Sequence, residues 1–265
     1  MSTDRERQTA IDQLVALLSA DDRIVAVVLV GSAAGGKTDR WSDVDLEVAV
    51  DSTADTSAVA ADWVTRMYAE FEVAHHFEVS FGATLVRGFL LTSLLEVDLS
   101  FESVDELSVW EPARLLVDRA GAGAAALKRP ATWEAQPPDY AGESGFTWHD
   151  VLHACAAVER GRPWQAVFYL QRVRNRALSL ASQRHGDYAD FFDYVDGLPA
   201  DERAPLEGSL VGSLAEEELI AAIESATGGY LAELRRGDPA LADRLGPPLL
   251  EMVAAVRDRR PRGAR

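Results

Sequence analysis

The chain has 265 residues, of which 43 are acidic and 26 are Lys or Arg, so its formal net charge is −17. Proteins that bind nucleic acid need cationic side chains to displace the counterions of the phosphate backbone. The charge therefore argues against a nucleic-acid partner and is compatible with a cationic one, although an acidic surface that only maintains solubility explains it equally well. The sequence has one cysteine, Cys155, no run of 18 apolar residues and no secretory segment, which predicts a cytoplasmic protein without an intrachain disulfide or a membrane span.

The first half of the chain predicts alternating helices and strands. Apolar residues at helical spacing within 4–18 predict an amphipathic helix. Further patterns predict strands over 23–31 and 43–51, a helix over 57–71, two strands within 84–103 that join near Thr92–Leu94, and a short strand over 113–118. We therefore predict an α/β (α+β) fold class, with a small mixed-sheet domain over residues 1–120.

The composition changes after this domain. Residues 121–146 are rich in Gly, Ala and Pro and predict a connector that contains at most one short helix. Only helical patterns follow, over 147–160, 163–185, 187–196, 214–235 and 239–259. They predict an all-α helical-bundle domain over 147–258, followed by a basic tail over 259–265.

The stretch from Gly31 to Thr38 matches the P-loop pattern G-x-x-x-x-G-K-[ST]. A P-loop requires a long helix directly after this turn, because the helix N-terminus helps to hold the phosphates. Here only the four residues DRWS separate Thr38 from the strand that begins at Asp43. Four residues make about one helical turn, so the P-loop interpretation is rejected.

The beginning of the second strand favours a different phosphate chemistry. Asp43, Asp45 and Glu47 alternate with apolar residues, so their side chains share one face of the strand. Two carboxylates ~4 Å apart repel each other by a few kcal/mol, and without a cation one of them tends to take up a proton. A divalent cation removes this conflict, and hard carboxylate oxygens suit Mg²⁺. Such a pair on an exposed strand is often only solvated, so the spacing alone does not establish a site.

The wider pattern resembles the DNA polymerase β-like nucleotidyltransferase superfamily. VGS, ten residues and DVDL follow one another at residues 30–46, and Asp98 in LEVDLSF takes the place of the third carboxylate of that family. The sequence WSDVDL is similar to the antibiotic-modifying and minimal branches. The helical half, especially RGRPWQAVFYLQRVRNRALSLASQRHG, looks like the domain that follows in the aminoglycoside and lincosamide enzymes.

The resemblance implies a metal-dependent transfer of a nucleoside monophosphate from a nucleoside triphosphate, with ATP as the expected donor. Asp43 and Asp45 would hold one or two Mg²⁺ ions. Asp98 would either join them as a ligand or act as the general base, since the antibiotic branch often has Glu at this position. Gly31 would allow the backbone to approach the phosphates, and Ser32 would donate hydrogen bonds to them.

Three cationic residues are further candidates for nucleotide binding. Lys37 is close enough in sequence to reach a terminal phosphate, and a solvated loop lysine is an equal alternative. Arg172 and Arg176 would neutralise the triphosphate if their helix closes over the site, but surface ion pairs are the more common role of such residues.

The acceptor implied by the resemblance is a hydroxyl group of a small molecule, either an aminoglycoside or a lincosamide, and a polycationic aminoglycoside suits an acidic chain better. Two alternatives remain at this stage. One is adenylylation of a partner protein, as in the antitoxin type of minimal nucleotidyltransferase, and the other is a non-catalytic nucleotide-binding module. Many members of the family dimerise, so the resemblance also allows a homodimer.

Overall fold

The computed structural model describes residues 3–119, 121–128, 137–187, 192 and 194–258. The chain forms two compact units, Met1–Trp133 and Glu134–Arg265. The first contains a mixed sheet with helices, and the described residues of the second form helices and no strand, which confirms the predicted fold class. Among the described residues, no helix has both the length and the apolar character needed to cross a bilayer.

The first unit is built on a six-stranded sheet. Its strands are β1 (Ile24–Val30), β2 (Val44–Val50), β3 (Val73–Phe81), β4 (Thr84–Leu91), β5 (Glu96–Ser103) and β6 (Ala113–Asp118). Their order across the sheet is β3-β4-β5-β2-β1-β6. The pair β2–β5 is parallel and the other four pairs are antiparallel. The two strands that carry the predicted carboxylates are therefore central neighbours.

One face of this sheet carries the main core of the unit. Helices α1 (Asp4–Ser19) and α3 (Thr56–Glu70) contribute apolar side chains to the same buried cluster as the strand residues on this face. Leu46 and Leu99, which are paired across β2 and β5, are among the buried residues of that cluster. Both helices have N-terminal caps: Thr3 and Glu6 form a capping box, and Asp55 accepts hydrogen bonds from the first turn of α3.

The opposite face of the sheet is the one that carries Asp45, Glu47, Asp98 and Ser100, and we call it the carboxylate face. On the β1 side it is covered by a small apolar cluster that includes Val28, Leu107 and Val109, together with the short helix α4 (Ala122–Ala126). The two faces of β2 therefore differ, because strict alternation sends apolar residues to the core and acids to the other side.

The second unit consists of helices α5 (Tyr140–Glu159), α6 (Pro163–Arg184), α7 (Ala200–Glu207), α8 (Glu216–Gly237) and α9 (Pro239–Arg257), with a 3₁₀ turn over Val195–Gly197. Helix α5 packs against α6, α8 and α9. Pro163 occupies the first turn of α6, where its missing N–H costs no hydrogen bond. A buried ion pair joins α6 to α8, since Arg184 Nε lies 2.9 Å from Glu233 Oε1.

The prediction missed strand β3. None of its nine residues is fully buried, and it pairs only with β4 at the edge of the sheet. Only His75 interrupts its apolar alternation, and Phe77, Val79 and Phe81 continue it, so the local pattern did contain a strand signal that the prediction overlooked. The sheet consequently has six strands where the sequence predicted five.

The boundaries in the second half also differ from the prediction. Helix α5 begins at Tyr140, so the end of the predicted connector over 121–146 is helical, whereas α4 agrees with the one short helix that the prediction allowed there. Asp139 caps this early start, while the buried residues Ser144 and Thr147 hydrogen-bond to backbone carbonyls and leave no apolar pattern. Helix α7 was also missed, because it contains Pro205 and only one buried residue and therefore has no apolar pattern. Half of the residues of the predicted helix over 187–196, and the whole tail over 259–265, lie outside the described residues.

Candidate active site

The two central parallel strands place two carboxylates next to each other. Asp45 on β2 is the register partner of Asp98 on β5, and Glu47 is the partner of Ser100. Asp43 directly precedes β2 and, two residues before Asp45, belongs to the same face. The three predicted aspartates thus come from β2, the residue that precedes it and the parallel neighbour β5. More than fifty residues separate Asp45 from Asp98 in the chain, so the sequence alone could not show that the two are neighbours.

A turn brings the backbone close to Asp45 from the β1 side. Val30, the last residue of β1, is the register partner of Asp45, and Gly31 follows with φ +70°. A Cβ atom at Gly31 would lie 2.7 Å from Asp45 Oδ2, which is too close for a real side chain. Position 31 therefore favours glycine for two reasons, its left-handed backbone and its contact with the carboxylate.

The stretch after Gly31 confirms the rejection of a P-loop. Helix α2 (Gly31–Ala34) contains Ser32 and ends after one turn, and no further helix precedes β2. Lys37 is exposed in the following loop, where its backbone N–H donates to the Ser32 carbonyl over 3.1 Å. The long helix that a P-loop needs is absent from this described segment.

Arg7 on α1 fixes the loop that leads into Asp43. This side chain is 2% exposed, and its Nε donates to the Ser42 carbonyl over 3.0 Å. Its Nη2 donates to the Asp39 carbonyl, and its Nη1 forms an ion pair with Asp4. Hydrogen bonds from this buried guanidinium hold the loop backbone more firmly than hydrogen bonds to solvent would. Arg7 is not among the predicted site residues, because an arginine on an amphipathic helix resembles any other surface residue in the sequence.

A second glycine lies beside Asp98. Gly88 on β4 is the register partner of Asp98, and a Cβ atom at position 88 would lie 2.8 Å from Asp98 Oδ1. Asp98 Oδ1 is buried and has no hydrogen-bond partner among the described residues. An isolated glycine within a strand often marks such a close approach, so the stretch VRGFLL did contain a signal that sequence analysis overlooked.

Burial and mutual repulsion raise the pKa values of these acids. Burial, followed by the charges of Glu96 and Asp43, raises the pKa of Asp98 to about 6. Burial, with the neighbouring Asp43 and Asp98 carboxylates as the next causes, raises the pKa of Asp45 well above its ordinary value. Further along the same face, burial and the charge of Glu102 raise the pKa of Glu47 to about 8. The cluster therefore binds protons more tightly than solvated acids do, and a cation would take their place.

The residues fit a divalent cation that is bound together with phosphate. Among the described residues, no group of three or more His, Cys, Asp or Glu side chains is arranged to hold a metal ion by itself. Mg²⁺ does not need such a set, because it is usually held by one or two carboxylates and completes its shell with phosphate oxygens and water. Asp45 and Asp98 provide the pair, and Asp98 Oδ1, which has no hydrogen-bond partner among the described residues, is an oxygen that a cation would satisfy.

Arg172 and Arg176 lie in the second unit, on helix α6, with carboxylate partners. Arg172 Nε donates to both oxygens of Asp150, at 3.1 and 3.0 Å, and Arg176 Nη1 lies 2.9 Å from the same carboxylate. Arg176 Nε also pairs with Glu143. Asp150 is only 1% exposed, so these ion pairs neutralise a buried charge. A contact of either arginine with a nucleotide stays a prediction.

The solved structures that this chain is similar to include an aminoglycoside 6-adenyltransferase from Bacillus subtilis. It is 10% identical, with a TM-score of 0.38, over 95% of this chain and 99% of that one. A nucleotidyltransferase-like protein from Exiguobacterium sibiricum is 11% identical, with a TM-score of 0.42, over 88% and 77% of the two chains. The CCA-adding enzyme of Thermotoga maritima is 12% identical, with a TM-score of 0.31, over 97% and 76%.

No protein-family model and no curated protein matches this chain. The identities to the solved structures are 10–12% and all three TM-scores lie below 0.5, so these likenesses say nothing of the activity of this chain.

Replacing Asp45 or Asp98 with Asn should stabilise the metal-free protein at high pH. The pKa of each carboxyl is raised from an ordinary value of 3.8, so the folded state binds the proton more tightly than the unfolded chain. The resulting stability is fully present below pH 3.8 and is lost as the pH rises through the folded pKa. At pH 8 each substitution removes a buried negative charge, whereas at pH 5 it replaces a mostly neutral group.

We therefore expect D45N and D98N, in EDTA, to raise the melting temperature by a few degrees at pH 8 and by clearly less at pH 5. The matched control is Asp105→Asn, an exposed aspartate in a turn of the same unit, which should change little at either pH. Equal shifts at the two pH values, or destabilisation at pH 8, would contradict the assigned burial and repulsion.

Proposed function

We propose that this protein is a metal-dependent nucleotidyltransferase that moves a nucleoside monophosphate, with ATP as the donor, onto a hydroxyl of a small molecule. The observation that carries the proposal is the in-register pair Asp45 and Asp98, with the Gly31 turn against one carboxylate and an orphaned oxygen on the other. Buried carboxylates that repel each other destabilise a fold, so their placement on adjacent central strands favours a function over a structural role.

In the reaction, one bond to the α-phosphorus forms and another bond to it breaks. The acceptor oxygen bonds to this phosphorus while the bond between it and the oxygen bridging to the β-phosphorus breaks. Pyrophosphate leaves with that bonding pair, and the hydroxyl proton passes to a base. Asp98 is a suitable base, because its pKa of about 6 leaves it mainly ionised at neutral pH yet more basic than a solvated aspartate. The same residue can instead serve as a metal ligand.

The other residues bind and orient the triphosphate. Asp43 and Asp45 would hold one or two Mg²⁺ ions, which would supply charge neutralisation at the phosphates and polarise the reacting oxygens. The backbone at Gly31 and the hydroxyl of Ser32 would donate to phosphate oxygens, since the turn has no side chain at position 31 to keep a ligand away. Lys37, exposed in the adjoining loop, would contact a terminal phosphate.

An antibiotic of the aminoglycoside or lincosamide class is the proposed acceptor. Glu96 joins Asp43, Asp45 and Asp98 in a strongly negative site, and it contributes to the raised pKa of both Asp45 and Asp98. A polycationic aminoglycoside fits this charge better than a neutral acceptor does.

Pyrophosphate release tests the proposal. We expect the wild-type protein to release pyrophosphate from ATP only when Mg²⁺ and one class of acceptor are present, in a panel of aminoglycosides and lincosamides with GTP, CTP and UTP as alternative donors. Asp45→Asn should lower kcat by about a hundredfold or more, because it weakens the binding of the metal and its phosphate. Lys37→Ala should raise the KM for ATP and change kcat little, because it removes only a contact at the far phosphate.

The melting temperature of each variant serves as the control for folding. Near-normal turnover by D45N would contradict the assigned site, and complete loss of activity in K37A would contradict a role for Lys37 that is limited to a terminal phosphate. No release with any compound of the panel would contradict a small-molecule antibiotic as the acceptor. A protein adduct of AMP found by mass spectrometry would then favour the protein-modifying alternative.

The role of the Gly31 turn can be separated from its backbone strain. Gly31 and Gly36 both have positive φ values, +70° and +66°, so alanine at either position introduces a similar backbone strain of about 1 kcal/mol. Only Gly31→Ala also displaces Asp45, because a Cβ atom at Gly36 meets nothing within 4 Å. We expect G31A to lower kcat/KM for ATP at least about tenfold more than G36A does. Equal losses in the two variants would show that the turn does not position the carboxylate.

A further inference from the structure

An aromatic side chain continues the row of site residues across the sheet. Phe77 on β3 is the register partner of Gly88 on β4, Gly88 is the partner of Asp98 on β5, and Asp98 is the partner of Asp45 on β2. All four residues therefore belong to the carboxylate face, in one line across four strands. Phe77 is 48% exposed, which is unusual for a phenylalanine beside a cluster of acids.

The ring of Phe77 and the carboxylate of Asp98 share the space above Gly88. A Cβ atom at position 88 would overlap the Phe77 ring and would also lie 2.8 Å from Asp98 Oδ1. The absence of a side chain there allows the ring to lie against the strand, next to the carboxylate. Any side chain at position 88 would separate the two groups. Gly88 therefore creates a surface in which an apolar ring borders a reactive acid.

The direction of the reaction assigns this surface to the acceptor. In-line displacement at phosphorus requires the attacking and leaving oxygens to lie on opposite sides of the α-phosphate. The Gly31 turn follows β1, on one side of Asp45, whereas Asp98, Gly88 and Phe77 lie on the other side. A triphosphate held at the Gly31 turn thus directs its leaving group toward β1 and leaves the β4–β3 side open to the acceptor.

We propose that Phe77 is a specificity-determining residue that stacks against the ring of the acceptor. The inference rests on the proposed nucleotidyl transfer and specifies its acceptor as a saturated ring with amino substituents. The C–H face of such a ring packs on an aromatic face, and an ammonium group is attracted both by that face and by the carboxylate of Asp98. Phe77 binds and orients the acceptor and takes no part in proton transfer.

The test compares Phe77→Ala with Phe81→Ala, using pyrophosphate release with whichever of kanamycin, streptomycin or lincomycin the wild-type protein modifies. Phe81 lies on the same strand and the same face as Phe77 and is 62% exposed. Its register partner is Thr84, which lies four residues from Gly88 on β4, so Phe81 does not border Asp98. We expect F77A to raise the KM for the acceptor about tenfold and to leave the KM for ATP within about twofold. F81A should leave both values unchanged.

Two further variants separate stacking from folding. Phe77→Tyr keeps the ring and should retain a nearly wild-type KM for the acceptor, whereas Phe77→Leu keeps the apolar bulk without the ring and should behave like F77A. An increase in the KM for ATP instead of the acceptor, or equal effects of F77A and F81A, would overturn the inference while the proposed function stands. Absence of transfer by the wild-type protein would overturn the proposed function and this inference with it.

Discussion

The central constraint in this structure is the placement of two partly buried carboxylates on adjacent parallel strands. Asp45 and Asp98 are register partners, and neither side chain can move away without leaving the face of the sheet on which strand alternation places it. Their repulsion is built into the fold, and burial makes it stronger because a low-dielectric surrounding screens charge poorly. The protein can relieve it by taking up protons or by binding a cation.

The rest of the first unit holds this pair in place and keeps its surroundings open. The apolar residues of β2 and β5 anchor the strands to the core on the opposite face. Buried Arg7 holds the loop that leads into Asp43 through hydrogen bonds to backbone carbonyls. Gly31 and Gly88 leave space beside Asp45 and Asp98, one on each side of the pair. Rigid positioning combined with the absence of two side chains is what a site for a phosphate and an acceptor requires.

Sequence patterns predicted the fold class, because alternation along β2 is a local signal. The resemblance to a known family selected Asp43, Asp45 and Asp98, and their role in a site stays a prediction. Sequence patterns missed β3 because His75 interrupts the apolar period near its start, although Phe77, Val79 and Phe81 do alternate with polar residues. They therefore also missed Phe77, whose importance depends on the register of β3 with β4. Arg7 was missed because its partners are backbone carbonyls far along the chain. Long-range pairing of this kind is not encoded in any short window of sequence.

Isothermal titration calorimetry of Mg²⁺ with a non-hydrolysable ATP analogue is the most direct test that the carboxylate pair is a cation–nucleotide site. The measurement is made at pH 6, near the raised pKa of Asp98, in two buffers with different enthalpies of ionisation. Binding that depends on Mg²⁺ and releases protons, with less release in D45N, is the predicted result, because the cation displaces protons held by the acids. Equal affinity without Mg²⁺, or no proton release by the wild-type protein, would contradict the account.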